Sequence, residues 1–464
     1  MVFSGLTFLL LFLPALLILY FLSRDLRWRN GVLVVFSLVF YAWGEPVMVL
    51  LLLATTLFNY LIARVMDRAA SPRGKKLWLF LGVAGSLAGL LYFKYTGFFL
   101  SDLSSLLGVK IAFTAPRLPI GISFYTFQIL TYTVDVYRGK VGVQKNFFRL
   151  LLYVSCFPQL IAGPIVQYGD VAAALESRTT TAEDFVDGAR RFLLGLGKKV
   201  ILANISGSIL LECLPDGAAP ASVVGAWVSA IVYSLHLYFD FSAYSDMAIG
   251  LGRILGFTNK ENFNYPYFSI SPTDLWRRWH ISLGSFFREY VYFPLGGSRK
   301  GKGRQLLNLL IVWALTGLWH GAAWNYVLWG LYWYVLQIAH KAVEKPWARM
   351  PKFFQWLLNF VLTMIGMMVF YYNDQGALLV HVAAMFGGGV GWLDEGILSV
   401  LRQYALFLPI ACVGAAPLVP RLKKLAEKRP ALAALGTVFA VLVGLLSLLF
   451  LIRQSYNPFI YFRF

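Results

Sequence analysis

The chain has 464 residues, 59% of them hydrophobic, 17% aromatic and 14% charged, with a formal net charge of +19. A soluble domain carries roughly 25% charged residues, so this composition excludes a soluble globular protein and specifies an integral membrane protein. The positive charge does not gather into the basic face of a nucleic-acid binder. It is dispersed in short clusters between apolar runs, as in cytoplasmic loops facing anionic headgroups.

The opening MVFSGLTFLLLFLPALLILYFLSRDLRWRN lacks a basic n-region and an A-x-A cleavage site, and reads as a retained first span. A spanning helix needs about 20 mostly apolar residues. That criterion predicts spans at 4–23, 31–46, 47–64, 77–98, 118–137, 192–212, 222–241, 306–319, 322–340, 353–372, 397–418 and 431–452. Two more apolar stretches, 147–168 and 266–296, are interrupted by Pro, Gly and polar residues. They read as re-entrant or interfacial helices, tolerated at depth only when buried in protein or lining a cavity.

Lys and Arg concentrate in loops 24–30, 64–76, 138–145, 298–304, 341–352 and 421–429, while the turns 44–46, 214–217 and 373–376 contain none. This alternation places both termini outside and makes the Gly-rich 385–396 an outer loop. There is no repeat and no soluble domain, so residues 1–464 read as one polytopic helical domain. Cys156, Cys213 and Cys412 lie far apart with no CxxC, which argues against a disulfide framework or a structural zinc site.

Within LLNLLIVWALTGLWHGAAWNYVLWGLYWYVLQIA, no residue from Gln305 to Ala339 is charged, yet His320 sits in the middle. His320 follows Arg304 by sixteen residues, or about 24 Å of helix, and Gly317 and Gly321 permit a sharp turn there. The segment therefore reads as a hairpin tip with His320 toward the outer half of the membrane. Burying an imidazole there costs free energy unless something pairs with it or uses it.

A second polar constellation, NFNYPYFSISPTDLWRRWHISLGSFFREYVYFPLGG (262–297), holds Asp274, Arg277, Arg278, His280, Arg288 and Glu289. Ser271 is placed to cap a helix with Pro272 at its first position, and Asp274 can pair with Arg278 at i, i+4. The plain reading is an interfacial helix anchored by aromatics and arginines. The sharper one is a cytoplasm-side site for an anionic group, with Arg277, Arg278, Arg288 and loop 298–304 holding phosphates and their charge keeping His280 neutral. His236 and Asp240 face together four residues apart, more in the manner of a polar network than of a metal pair. His340 reads as interfacial, and His381 as lacking polar company. No GxSxG, HExxH, P-loop or dinucleotide fingerprint is present. Two histidines on one membrane path suit either acyl transfer by a neutral buried base or a transporter's proton relay, and the residues alone do not choose.

NFNYPYFSISPTDLWRRWHISLGSFFREYVYFPLGG followed by LTGLWHGAAWNYVLWG resembles the membrane-bound O-acyltransferase family, in the bacterial branch that O-acetylates alginate and other exported polysaccharides. MVFSGLTFLLLFLP, FPQLIAGPIVQY (157–168) and LHLYFDFSAYSDMAIG (235–250) resemble the same branch, with a motif core of about 119–341. The resemblance implies a ring of about 11–12 transmembrane helices, with re-entrant helices, around a thin central tunnel where an outer funnel and an inner pocket meet near His320. It places the catalytic histidines on His320 and His280, and the donor and tunnel positions on Arg277, Arg278, Asp274, Trp276, Trp319, Trp324 and Asn325, with no metal. Many relatives continue the second motif as WGLYHG; this chain has Trp329-Gly330-Leu331-Tyr332-Trp333-Tyr334, so any role of a histidine there cannot apply.

The implied activity moves an acetyl or other short acyl group from a cytoplasmic thioester, acetyl-CoA or an acyl carrier, to an extracytoplasmic hydroxyl, with no bound cofactor. The implied partners are an extracytoplasmic acetyltransferase or polysaccharide acceptor and the lipid of a bacterial cytoplasmic membrane. The alternative within the family is D-alanyl transfer from a carrier protein to a cell-wall polymer. In every version His320 must be reachable from both compartments through a thinned slab of protein; a ring walled in by packed side chains, with no opening toward either solvent, would overturn the transferase account.

Overall fold

The computed structural model describes residues 1–420, 425 and 429–453. Apart from residues 425 and 429, the basic run expected at 421–429 lies outside the described residues, as does the C-terminal end. Among the described residues the architecture is helical, and the one strand-like pairing is an isolated bridge between Ser222 and Gly391. The chain divides into two compact units. One comprises Met1–Phe192 with Tyr244–Lys260, and the other Leu193–Ala243 with the chain from Glu261 onward.

The first unit is built on aromatic packing and small-residue contacts. Phe8 lies 5.9 Å from Phe40 and 6.2 Å from Phe157 by ring centroid, and each such pair adds about 0.5–1.5 kcal/mol beyond area burial. Helices Met48–Arg68 and Pro72–Leu90 approach closely at Gly82, where a Cβ would stand 3.0 Å from both Ile62 and Thr133. Asn59 accepts from Thr133 Oγ1 and donates to Ser86 Oγ, joining three helices by hydrogen bonds in an apolar setting. The interrupted stretch 147–168 forms Phe147–Ser155 and Phe157–Leu160, because Pro158 cannot supply the amide that would continue the first helix. Residues 150–166 are buried in protein throughout.

In the second unit, Ala182–Cys213 contributes Lys199, and Val223–Ile254 contributes Asp240. Their side chains form a fully buried ion pair. The hairpin Lys302–His320 and Trp324–Ala342 packs beside Lys352–Tyr371.

Among the described residues, six helices are long and apolar enough to cross a bilayer: Met48–Arg68, Pro72–Leu107, Ala182–Cys213, Val223–Ile254, Lys352–Tyr371 and Ala431–Arg453. A seventh span is available if Glu395–Gln403 and Phe407–Gly414, bent by 72°, count together. The remaining expected spans are shorter or more polar helices, such as Phe8–Phe21, Leu26–Ala42 and Ile122–Tyr137. Ile122–Tyr137 has sixteen residues, thirteen of them buried in protein. An apolar run reports removal from water, and protein satisfies that as well as lipid does.

Candidate active site

Both candidate histidines belong to the second unit. The segment carrying His280 begins with the helix Pro272–Arg278. Ser271 Oγ accepts from the Asp274 amide at 3.1 Å, and Asp274 Oδ2 accepts from the Ile270 amide at 3.1 Å, a reciprocal cap at the helix start. Asp274 Oδ1 also accepts from Arg278 Nε at 2.9 Å. The helix stops at Trp279, and His280 takes a left-handed conformation with φ 45° and ψ 54° before Ile281–Phe287 starts. A non-glycine residue held there costs about 1–3 kcal/mol and persists only where its surroundings fix it. They do so here: the Ile281 amide donates to the Asn262 carbonyl at 2.9 Å, and the Asn264 amide to the Arg278 carbonyl at 2.8 Å.

His280 is 1% exposed, with its ring centroid 4.6 Å from that of Phe241 and 5.6 Å from that of Trp319. Burial pushes its imidazole down to about 3. The ring is therefore neutral at physiological pH, as expected, but the cause is desolvation and not the arginine charges invoked from the sequence. Arg278 is committed to Asp274, and Arg277 is exposed.

His320 is the last residue of Lys302–His320, and Gly321–Ala323 connects it to Trp324–Ala342. Glycines bring the two helices together. A Cβ on Gly317 would run into the Tyr326 carbonyl, one on Gly330 into the Trp313 carbonyl, and one on Gly321 into the Tyr326 ring. The His320 ring lies 5.0 Å from Trp319, 4.9 Å from Trp329 and 5.3 Å from Phe370 by centroid. At 2% exposure it is walled by packed aromatic side chains. The open, two-sided access expected from the sequence is not seen in this arrangement.

The structure thus gathers His280, Trp319 and His320 into one contiguous cluster of edge-to-face rings. Trp276 is 4.9 Å from Trp313, 5.3 Å from Trp329 and 5.2 Å from Trp333, which ties the capped helix to the hairpin. Asn325 is buried and donates to the Phe370 carbonyl at 3.2 Å, steadying one wall of the His320 site. Trp324, by contrast, is 58% exposed. The basic loop at 298–304 is exposed as well.

Sequence reasoning missed Asn262, Phe241, Trp313, Trp329, Trp333 and Phe370. The i, i+4 spacing of Trp329 and Trp333 was a usable signal, since it sets both indoles on one helix face. The contacts of Phe241 and Phe370 left no local trace. His381 was read as lacking polar company, and this is corrected: it is fully buried between the Tyr372 hydroxyl at 3.0 Å and the Ala226 carbonyl at 3.1 Å. His236 Nδ1 lies 2.7 Å from the Ala203 carbonyl, and Asp240 pairs with Lys199, so these two residues serve helix packing.

Residues 140–373 match the membrane-bound O-acyltransferase family. The whole chain is 37% identical to the whole of the probable alginate O-acetylase AlgI of Pseudomonas aeruginosa. It is 32% identical to the peptidoglycan O-acetyltransferase of Helicobacter pylori over 82% of this chain and 79% of that protein. It is 30% identical to the teichoic acid D-alanyltransferase of Bacillus subtilis over 51% of this chain and 62% of that one. A helical chain with several membrane-spanning helices, half of it matched by this family model and all of it by an alginate O-acetylase, belongs to the membrane-bound O-acyltransferase family and is an acyltransferase.

Proposed function

We propose that this enzyme moves an acetyl group from acetyl-CoA, approached from the cytoplasm, to a hydroxyl on the outer side of a bacterial cytoplasmic membrane, for O-acetylation of an exported polysaccharide. The observation that carries the reading is the ring cluster of His280, Trp319 and His320, in a chain aligned end to end with alginate O-acetylases. His320 acts as general base: it takes the acceptor's proton as the oxygen attacks the thioester carbonyl, a C–O bond forms, the C–S bond breaks and the thiolate leaves. His280 contributes a second neutral imidazole on the donor side. Arg277 and loop 298–304 meet the donor's phosphates; Arg278 orients the helix through Asp274. Displacement of Trp329 or Phe370 admits the reactants to His320. Both termini lie outside, and an extracytoplasmic acetyltransferase or the polymer itself receives the group.

The test is thioester turnover by the purified full-length protein in lipid nanodiscs, with acetyl-CoA in one arm and an acylated carrier protein in the other. Turnover of acetyl-CoA that falls by on the order of 10²-fold or more in His320→Ala, with insertion unchanged, is the expected result. Turnover of the carrier thioester alone assigns the D-alanyl type of donor, and unchanged turnover in His320→Ala removes that residue from the mechanism.

A further inference from the structure

The side chain of Asn262 has no role assigned above, yet its oxygen collects three contacts. It accepts from the Ser282 amide at 3.1 Å and from Ser282 Oγ at 2.9 Å, and it stands 3.2 Å from His280 Nδ1. The first contact fixes the chemistry. A backbone amide only donates, so the Asn262 atom facing it is the amide oxygen, and the side-chain amide has one orientation. Ser282 Oγ also stands 3.5 Å from His280 Nδ1, but its one hydrogen goes to Asn262 Oδ1 at 2.9 Å; an amide oxygen only accepts, so the imidazole nitrogen 3.2 Å from it carries the hydrogen. A neutral imidazole has one N–H, which leaves Nε2 bare.

Two further observations converge on that nitrogen. His280 Nε2 is buried and has no hydrogen-bond partner among the described residues. An orphaned buried acceptor is costly, and a fold that keeps one has a use for it. The left-handed backbone of His280, with φ 45°, holds the ring where Asn262 meets one nitrogen while Phe241, Phe263 and Trp319 surround the rest. The backbone bonds from Ile281 to Asn262 and from Asn264 to Arg278 lock the two strands of chain in register.

We infer that Asn262 is a positioning residue: it holds His280 as the Nδ1–H tautomer and aims a bare Nε2 at an O–H or N–H that the substrate brings. No proton is gained or lost in the resting enzyme; the Nε2 lone pair is kept available. The inference rests on the proposed part of His280 in transfer only for its consequence, since the tautomer can be read without turnover.

The experiment uses full-length protein with 15N-labelled histidine in nanodiscs, His280 being assigned by the signal lost in His280→Gln. The expected spectrum has a protonated, pyrrole-type Nδ1 and a bare, pyridine-type Nε2. Asn262→Asp, which keeps the acceptor, retains that pattern. Asn262→Leu mixes the two tautomers and lowers acetyl-CoA turnover by about 10- to 100-fold, and Asn262→Asp recovers most of it. A protonated Nε2 in the unsubstituted protein, or an unchanged tautomer in Asn262→Leu, overturns the inference. Should Asn262→Leu fail to fold, the unsubstituted spectrum still decides. Normal turnover in His280→Gln, beside the expected spectrum, sinks the catalytic role of His280 and leaves the tautomer assignment standing.

Discussion

The indole of Trp319 stands 5.6 Å from the imidazole of His280, ring centroid to ring centroid, at an interplanar angle of 62°. The same indole lies 5.0 Å from His320, so one side chain spaces two buried bases. That arrangement has a measurable consequence. Trp319→Ala leaves a cavity and costs about 3–5 kcal/mol of stability. Trp319→Phe keeps aromatic surface and stays within about 1.5 kcal/mol of the parent, yet its shorter ring loosens the cluster and lowers turnover about 10-fold or more. Thermal unfolding in detergent alongside turnover separates the two effects; turnover that only follows stability in both variants would reduce Trp319 to a filler.

Gly317 governs the hairpin in a different way. Its added methyl would meet the Tyr326 carbonyl and, at 3.3 Å, the Val327 Cα, both of them backbone with no room to yield. Gly317→Ala is expected to lower stability by about 1–3 kcal/mol and to abolish transfer by spreading the two helices. Gly303, in the same helix, has nothing within 4 Å of the corresponding position. Gly303→Ala should be neutral or stabilising by up to about 1 kcal/mol. Equal thermal shifts in the two variants would contradict the close helix contact.

His280 also sets a pH dependence of stability. Its folded pKa is pushed by burial to about 3, below the roughly 6.5 of an unfolded imidazole. The unfolded chain therefore binds the proton first as pH falls. The contribution is fully present above pH 6.5 and is lost progressively toward pH 3, at up to about 1.4 kcal/mol per pH unit. His280→Gln should flatten that part of the stability curve in denaturation scans, and an unaltered slope would show that the ring is not buried neutral.

Arg277 is exposed, whereas Arg278 is held by Asp274 at 2.9 Å. If Arg277 meets the donor's phosphates, Arg277→Ala raises KM for acetyl-CoA several-fold with little change in kcat. The difference from the parent should shrink at high salt, where exposed charges are screened. A fall in kcat at constant KM would place Arg277 elsewhere in the cycle.

Local chemistry was legible in the sequence. Ser271, Asp274 and Arg278 declare their cap and ion pair through i+3 and i+4 spacing, and both are present. Gly317 and Gly321 announced the hairpin, and the helices meet where they stand. Contacts between distant parts of the chain were not legible. Asn262 reaches His280 across 18 positions, and His381 reaches Ala226 across 155, with no periodicity to betray either. Phe370, one of the side chains that wall in His320, was equally illegible: it comes from another helix, fifty residues downstream.

The buried pair of Lys199 and Asp240 carries an implication for how the protein is made. Either charge alone is expensive in hydrocarbon, and breaking a buried pair strands its partner at a cost of about 3–5 kcal/mol. The helices that hold them, Ala182–Cys213 and Val223–Ile254, are consecutive long apolar segments joined by the short connection 214–222. Neither is at ease in the bilayer as a lone arrival, so biogenesis is expected to release them from the insertion machinery as a mated couple, charge already neutralised.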